Sequence, residues 1–231
     1  MEKFANLRKT QGKYAAARFA RERRAAGKGQ TYMDEGTQIM ANLSIELCGV
    51  KLKNPVIAAS GTFGFGREFD ELYDVGILGG VSTKGLTLEP RPGNPVPRIA
   101  ESRGVILNAV GLQNPGVEHF IRCDLEWLKS KGTAVIANVA GKTLEDYAGI
   151  CKRLDGLADM IELNISCPNV KCGGMAFGIR PESVEEVTKA ARAALLKTPL
   201  MVKLSPNVES IAANALAAER GGADCVSLVN T

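Results

Sequence analysis

The residues best suited to chemistry lie in one stretch, Glu-Leu-Asn-Ile-Ser-Cys-Pro-Asn-Val at 162–170. An apolar run leads into it, and Pro168 ends the predicted strand because proline lacks an N–H and restricts the residue before it. Cys167 is therefore expected at the C-terminal end of a strand, between Asn164 and Asn169. A thiolate there is a competent base or nucleophile. A lone cysteine is more often a small buried apolar residue, but the amide neighbours and the strand-end position favour a functional one.

Two lysines, Lys84 and Lys203, occupy similar positions at or near the ends of predicted strands. Burying an ammonium group without a partner is costly, so a lysine inside a β-run is unusual. One such residue could be an edge lysine whose amine reaches solvent. Two at the same rim indicate an anionic ligand, or one Schiff-base lysine.

A group of amides adds to these cations, and its members are Asn108, Asn138, Asn164, Asn169 and Asn230. Single asparagines are usually turn residues. Each amide also offers a donor and an acceptor, so a group of them suits a flat ring with imide edges.

Other features of the sequence exclude several kinds of site or argue against them. The single histidine excludes a His-based triad and a multi-His metal site, and we expect no metal. The six cysteines are scattered without a CxxC pair or a secretory signal, which favours a reducing cytoplasm over a disulfide scaffold. The glycine-rich residues 60–66 do not match GxGxxG, and no GK[ST] is present, so a dinucleotide or nucleoside-triphosphate site is unsupported.

Alternating strands and helices must position these groups. Strand-like runs at 55–60, 80–84, 134–139, 160–166, 200–205 and 225–230 alternate with helical patterns at 144–154, 181–197 and 211–220. Such alternation predicts a parallel sheet. Because several strands end in a polar residue, a (β/α)8 TIM barrel with its site at the C-terminal rim is favoured over an open sheet. Residues 43–52 predict a small β-hairpin ahead of it. About six of the eight βα units are present, so we expect the barrel, residues 40–231, to be incomplete at its C-terminus.

Charge separates the first residues from the rest. Residues 1–39 hold nine Lys and Arg against four Asp and Glu, whereas the remainder holds 20 against 21. This basic N-terminal extension is predicted to be a disordered tail or a mis-called start, with a basic amphipathic helix or a targeting peptide as alternatives. The near-neutral remainder gives no sign of nucleic-acid binding, and no apolar run is long enough to predict a membrane span.

Four separate motifs together resemble the class 1 dihydroorotate dehydrogenases. They are Ala-Ser-Gly at 59–61, the Thr-Lys and Leu-Glu-Pro-Arg-Pro-Gly-Asn-Pro of 83–95, Asn-Ala-Val-Gly-Leu-Gln-Asn-Pro-Gly at 108–116, and Asn-Ile-Ser-Cys-Pro-Asn at 164–169. The resemblance runs from about Met40 to the end. It implies an FMN-binding TIM barrel that oxidises dihydroorotate to orotate in pyrimidine biosynthesis.

The resemblance also implies roles for individual residues. Cys167 would be the base that takes the C5 proton while hydride passes from C6 to flavin N5, and Lys203 would lie near flavin N1. Substrate would be held by Lys84, Asn108, Ala109, Val110, Gly111, Leu112, Asn164, Asn169, Asn230 and Thr231. FMN would be held by Ser60, Lys84, Gly85, Asn138, Asn164, Lys203 and Val229.

Phe-Gly-Phe-Gly at 63–66 resembles class 1B members. That implies a homodimer in complex with a second subunit that carries FAD and a [2Fe–2S] cluster and passes electrons to NAD. The alternatives are a related flavoprotein that oxidises dihydropyrimidines, an aldolase-like barrel with Lys203 as a Schiff base, and an inactive fragment. The dihydropyrimidine-oxidising family tends to have His where Asn169 stands, so Asn169 argues against it.

Overall fold

The structure is a computed structural model, and it describes residues 41–166 and 177–230. The predictions made for residues 1–39 and for Cys167, Asn169 and Thr231 lie outside these ranges. The described elements all belong to one compact unit, Asn42–Thr231.

Ten strands are present in the described ranges. In chain order they are β1 (Ile45–Leu47), β2 (Val50–Leu52), β3 (Ile57–Ala58), β4 (Gly80–Ser82), β5 (Ile99–Ser102), β6 (Val105–Asn108), β7 (Ala134–Val139), β8 (Met160–Asn164), β9 (Leu200–Lys203) and β10 (Cys225–Ser227). The pairs β1–β2 and β5–β6 are antiparallel hairpins. In the first, Cys48 and Gly49 form the turn with φ of 50° and 82°, the positive values that a tight two-residue hairpin turn requires.

Helices fill the connections between the strands. They are α1 (Arg67–Asp70), α2 (Val117–Cys123), α3 (Leu125–Ser130), α4 (Leu144–Leu154), α5 (Pro181–Ala193) and α6 (Ile211–Arg220). Local sequence explains three of the starts: Thr143 and Asp146 form a capping box before α4, Pro181 opens α5, and Ser210 caps α6.

The central sheet has the order β10-β9-β8-β7-β4-β3, and every neighbouring pair is parallel. Each of its strands therefore pairs with the next one of the sheet along the chain, as in a barrel. The predicted six βα strands, the leading hairpin and a partial TIM barrel are confirmed.

The sheet has two distinct faces because side chains alternate along each strand. Val81, Val135, Ile161, Leu163 and Val202 point towards the helices and are fully buried in the main core. The inner face has a smaller apolar cluster of Ile136, Met160 and Met201, against which the first hairpin packs through Leu47 and Val50. The next inward-facing residues along these strands are polar.

Some predicted boundaries need correction. The runs predicted as strands at 55–60 and 80–84 hold only Ile57–Ala58 and Gly80–Ser82 as ladder residues. The predicted helix at 181–197 ends at Ala193, because the chain turns there towards β9. The hairpin β5–β6 was not predicted, and its residues are exposed on both faces, so it lacks the alternation that marks a half-buried strand.

Candidate active site

A polar layer covers the C-terminal end of the inner face. In the parallel register Asn138 lies beside Glu162 and Lys203 lies beside Ser227. Ser82 belongs to the same layer because its hydroxyl contacts Glu162. These five side chains come from five different strands of the sheet, so the fold rather than local sequence brings them together.

Glu162 is the centre of this layer and is only 4% exposed. Its Oε2 accepts hydrogen bonds from Ser82 Oγ at 2.5 Å and from Asn138 Nδ2 at 2.6 Å, and its Oε1 accepts one from Ser227 Oγ at 2.8 Å. Sequence reasoning did not single out Glu162. The available signal was a carboxyl group within a buried apolar run, which requires hydrogen-bonding partners.

Asn138 presents an unused acceptor. Its side chain is fully buried, its Nδ2 is committed to Glu162, and its backbone N donates to Thr83 Oγ1 at 3.1 Å. Its Oδ1 has no hydrogen-bond partner among the described residues. A Cβ added to Gly85 would lie 3.0 Å from this Oδ1 and 3.0 Å from Leu112 Cδ1. An orphaned acceptor beside a glycine that permits close approach fits a polar ring system such as a flavin.

Asn164 and Asn230 meet directly. Asn164 Oδ1 accepts hydrogen bonds from Asn230 Nδ2 at 3.0 Å and from Ser166 N at 3.3 Å. The Asn164 carbonyl accepts a further bond from the hydroxyl of Tyr147 at 2.8 Å. Ser166, the residue before Cys167, has a buried hydroxyl with no partner among the described residues. These contacts hold the end of β8 in one arrangement.

The two lysines lie at the same rim. Lys84 follows β4, and its backbone N donates to Gly64 O at 2.9 Å, while Ser60 Oγ donates to the neighbouring Thr83 O at 2.6 Å. Lys203 pairs in register with Asn164 and is half-buried. Within the described ranges neither amine forms an ion pair. Both cations therefore remain available to an anionic ligand.

The segment predicted to hold substrate, residues 108–112, reaches Gly85 through Leu112. Asn94 fixes its middle, because Asn94 Nδ2 donates to Ala109 O at 2.9 Å and Asn94 N to Val110 O at 3.0 Å. Gly111 and Leu112 follow with φ of 78° and 55°, and Leu112 approaches Gly85. Asn108, by contrast, lies exposed at the end of β6.

A buried asparagine that sequence reasoning missed supports this segment. Asn114 is 5% exposed; its Oδ1 accepts from Thr87 N at 3.2 Å and Gly116 N at 2.9 Å, and its Nδ2 donates to Leu112 O at 2.9 Å. Nothing in the local sequence separates it from an ordinary turn asparagine.

Val229 and the residues that flank 167–176 complete the described part of the rim. Val229 is 39% exposed and follows a cis peptide bond after Leu228. Gly178 N donates to Ile165 O at 3.0 Å, and the ring of Phe177 packs edge-on against Tyr147. The described residues contain no cluster of His, Cys, Asp and Glu suited to a metal ion, and among their helices none is long and apolar enough to cross a membrane.

The fold and the site define a partial (β/α)-barrel protein with a layer of amides, hydroxyls, a carboxylate and a lysine at the C-terminal ends of its strands. Comparison with known proteins is more specific. A family profile described as dihydroorotate dehydrogenase matches residues 42–231. The chain belongs to the dihydroorotate dehydrogenase family, which confirms the resemblance found in the sequence and leaves the aldolase-like alternative without support.

Similar proteins with curated names indicate the class within this family. A protein of Caldicellulosiruptor saccharolyticus named dihydroorotate dehydrogenase B (NAD(+)), catalytic subunit, is 55% identical over 190 residues, which are 82% of this chain and 63% of that protein. A Bacillus cytotoxicus protein of the same name is 48% identical over 194 residues, 83% of this chain and 62% of that protein. The resemblance to class 1B is confirmed. The chain spans just under two thirds of the length of these relatives.

A solved structure supports the fold. The crystal structure of DHODH in complex with ferulenol from Eimeria tenella matches with a TM-score of 0.69 at 19% identity, and the match covers 94% of this chain and 66% of that one. At this identity the likeness concerns the fold alone.

Proposed function

We propose that this chain is a catalytic subunit of an FMN-dependent dihydroorotate dehydrogenase that oxidises dihydroorotate to orotate in pyrimidine biosynthesis. The observation that carries the proposal is family membership over residues 42–231, and the polar rim supports it. Among the described residues, that rim combines amides, two cations without an ion pair and a buried acceptor without a donor, the groups that suit a carboxylated pyrimidine and a flavin.

The residues proposed to hold FMN are those that the family resemblance names: Ser60, Lys84, Gly85, Asn138, Asn164, Lys203 and Val229. Bound FMN supplies the hydride acceptor. Two observations support the fit: Asn138 Oδ1 has no hydrogen-bond partner in the part of the chain that the structure describes, and Gly85 leaves room beside it. Lys203 contributes positive charge at the rim, which favours negative charge on a bound, reduced cofactor.

The remaining residues are proposed to act on the substrate. Cys167, as a thiolate, accepts the C5 proton of dihydroorotate, so that the electron pair of that bond forms the new double bond as hydride leaves C6. Asn164 and Asn230, which already contact each other, hold the pyrimidine ring together with Asn108, Asn169 and Thr231. Lys84 and the backbone of Ala109, Val110, Gly111 and Leu112 bind the remaining polar edges and the carboxylate.

The proposed assembly is a homodimer with an electron-transfer subunit that carries FAD and a [2Fe–2S] cluster and reduces NAD. The names of the relatives, which include NAD(+) and catalytic subunit, support this partner. We place the reaction in the cytoplasm. The cysteines of the described ranges are free thiols, which is typical of a reducing compartment.

The visible absorbance of the purified protein tests the proposal. We expect flavin bands that shift when orotate is added and bleach when dihydroorotate is added without oxygen. Dihydrouracil, which lacks the carboxylate, is the matched control and should bleach the flavin far more slowly. Bleaching by dihydrouracil instead of dihydroorotate would favour the dihydropyrimidine-oxidising alternative. A protein that binds no flavin when supplied with FMN would contradict the proposal.

A further inference from the structure

We propose that Glu162 is a positioning residue that fixes the side-chain amide of Asn138 with its oxygen directed at the bound ligand. The ligand must then place an N–H or O–H donor at this point. The inference rests on the proposed function only for the identity of that ligand, FMN.

The first step is the orientation of the amide. Asn138 Nδ2 lies 2.6 Å from Glu162 Oε2. If the amide were rotated by half a turn, its oxygen would face the carboxylate oxygen at this distance, and two acceptors would repel each other. Glu162 therefore selects one of the two orientations, and Oδ1 is left on the opposite side.

The second step is the rigidity of Glu162 itself. Ser82 and Ser227, on two other strands, donate to its two oxygens at 2.5 and 2.8 Å. The bond from Ser227 to Oε1 is enough to keep the carboxyl group facing Asn138, because turning away would break that bond in a buried site, and the bond from Ser82 only adds to it.

The third step is the consequence for a ligand. Asn138 Oδ1 is buried and unpartnered among the described residues, and it lies against Gly85. A buried acceptor without a donor is unfavourable. A ligand that supplies the donor removes this penalty, so fixing the oxygen in this direction strengthens binding of donors and weakens binding of acceptors at the same point.

The main alternative is that Glu162 only ties strands together. That role predicts lower thermal stability for variants of Glu162 without a selective effect on ligand binding. It also predicts that loss of the Ser82 hydroxyl, which contacts the same Oε2, resembles loss of the carboxylate.

Four variants separate these roles by titration with FMN: Glu162→Gln, Asn138→Ala, the double variant, and Ser82→Ala as the matched control. In Glu162→Gln the new amide can donate to Asn138 and stabilise its reversed orientation. We expect Glu162→Gln and Asn138→Ala each to raise the Kd for FMN about tenfold, and Ser82→Ala to change it by less than about twofold. The double variant should bind no more weakly than Asn138→Ala, because Glu162 acts through Asn138.

A measurement without ligand tests the anchoring directly. The side-chain NH2 signal of Asn138 in a ¹H–¹⁵N spectrum, identified by its loss in Asn138→Ala, should exchange slowly with water in the wild type and in Ser82→Ala, and faster in Glu162→Gln. Equal exchange in the wild type and in Glu162→Gln, an unchanged Kd in Glu162→Gln, or additive effects in the double variant would overturn the inference while leaving the proposed function intact. A wild type that binds no FMN would overturn both.

Discussion

At the scale of single residues, the site depends on side chains whose roles the sequence reveals unequally. Lys84, Asn138 and Lys203 were predicted as site residues because several cations and amides near the ends of apolar strands are less expected than a single one, and the structure places all three at or next to the C-terminal ends of strands of the sheet. Glu162 and Asn114 were missed because their roles depend on partners up to 80 residues away in the chain, such as Ser82. Sequence patterns reveal unusual residue types, whereas a hydrogen-bond network appears only when the strands are paired.

Replacement of Cys167 tests the assignment of the base. We expect Cys167→Ala to lower the rate of dihydroorotate oxidation by about 10²- to 10⁴-fold, the contribution typical of a positioned base, with little change in FMN binding. Cys167→Ser should retain some activity that increases at high pH, since a hydroxyl is a weaker base at neutral pH. Turnover measured across pH for both variants checks this. Full activity in Cys167→Ala would exclude the thiol as the base.

Replacement of Gly85 tests whether the ligand needs the space beside Asn138. In Gly85→Ala the new Cβ would lie 3.0 Å from both Asn138 Oδ1 and Leu112 Cδ1, so these neighbours must move, at a cost of about 1–3 kcal/mol. We expect weaker FMN binding and a lower Tm, measured by titration and by circular dichroism.

Gly80→Ala is the matched control for Gly85→Ala, because its Cβ would meet only ordinary contacts at 3.4 Å and beyond. If both variants bound FMN like the wild type, the space beside Asn138 would not be needed by the ligand.

At the scale of elements, short apolar runs predicted the strands of the sheet, whose four central members are buried on both faces, and apolar residues at helical spacing predicted α4, which buries one stripe against the core. The hairpin β5–β6 was missed because Ile99, Ile106 and Leu107 are exposed despite their type. The first and last residues of the strands and helices were less predictable than the presence of these elements. Lys84 lies beyond β4 because its backbone N bonds Gly64 O rather than a neighbouring strand.

One carboxylate links the end of α4 to the segment that precedes β9, and its pKa leads to a pH-dependent prediction. Asp155, at the end of α4, accepts backbone hydrogen bonds from Leu196, Lys197 and Thr198 at 2.9–3.0 Å. Partial burial alone would raise the pKa of Asp155, but these N–H groups stabilise the carboxylate and hold its pKa below the usual value. Its contribution to stability is therefore full above about pH 4, the ordinary value of an aspartate, and is lost as the pH falls through the depressed pKa.

We expect Asp155→Asn to lower the free energy of unfolding at pH 7 by about 1–2 kcal/mol, because the amide nitrogen cannot accept from these N–H groups. The difference from the wild type should shrink in acid, once the wild-type carboxyl is protonated in both states. Urea unfolding at pH 7 and at lower pH checks this. Glu101→Gln, on the exposed hairpin, is the control and should have little effect at either pH. A difference that grew in acid would contradict the assignment.

At the scale of the whole molecule, the sheet turns a linear order of polar strand ends into one rim. Its parallel pairing places the ends of six strands side by side, so residues as distant as Ser82 and Ser227 bind the same carboxylate. The alternation of strands and helices in the sequence was enough to predict that the strand ends meet at one rim of a barrel. The identity of each contact could not, because register and tilt decide which side chains face inward.

Charge and family membership together make a prediction for residues 1–39. The family match begins at residue 42, and the preceding residues carry nine Lys and Arg against four Asp and Glu. Removing residues 1–39 should leave the Tm and the Kd for FMN almost unchanged, within about twofold for the Kd. Retention on a polyanionic heparin column should fall, because the remainder carries nearly balanced charge. A large loss of FMN affinity or a much lower Tm would mean that this basic segment contributes to the folded unit. Unchanged heparin retention would mean that the charge of the segment does not govern contacts with anionic surfaces.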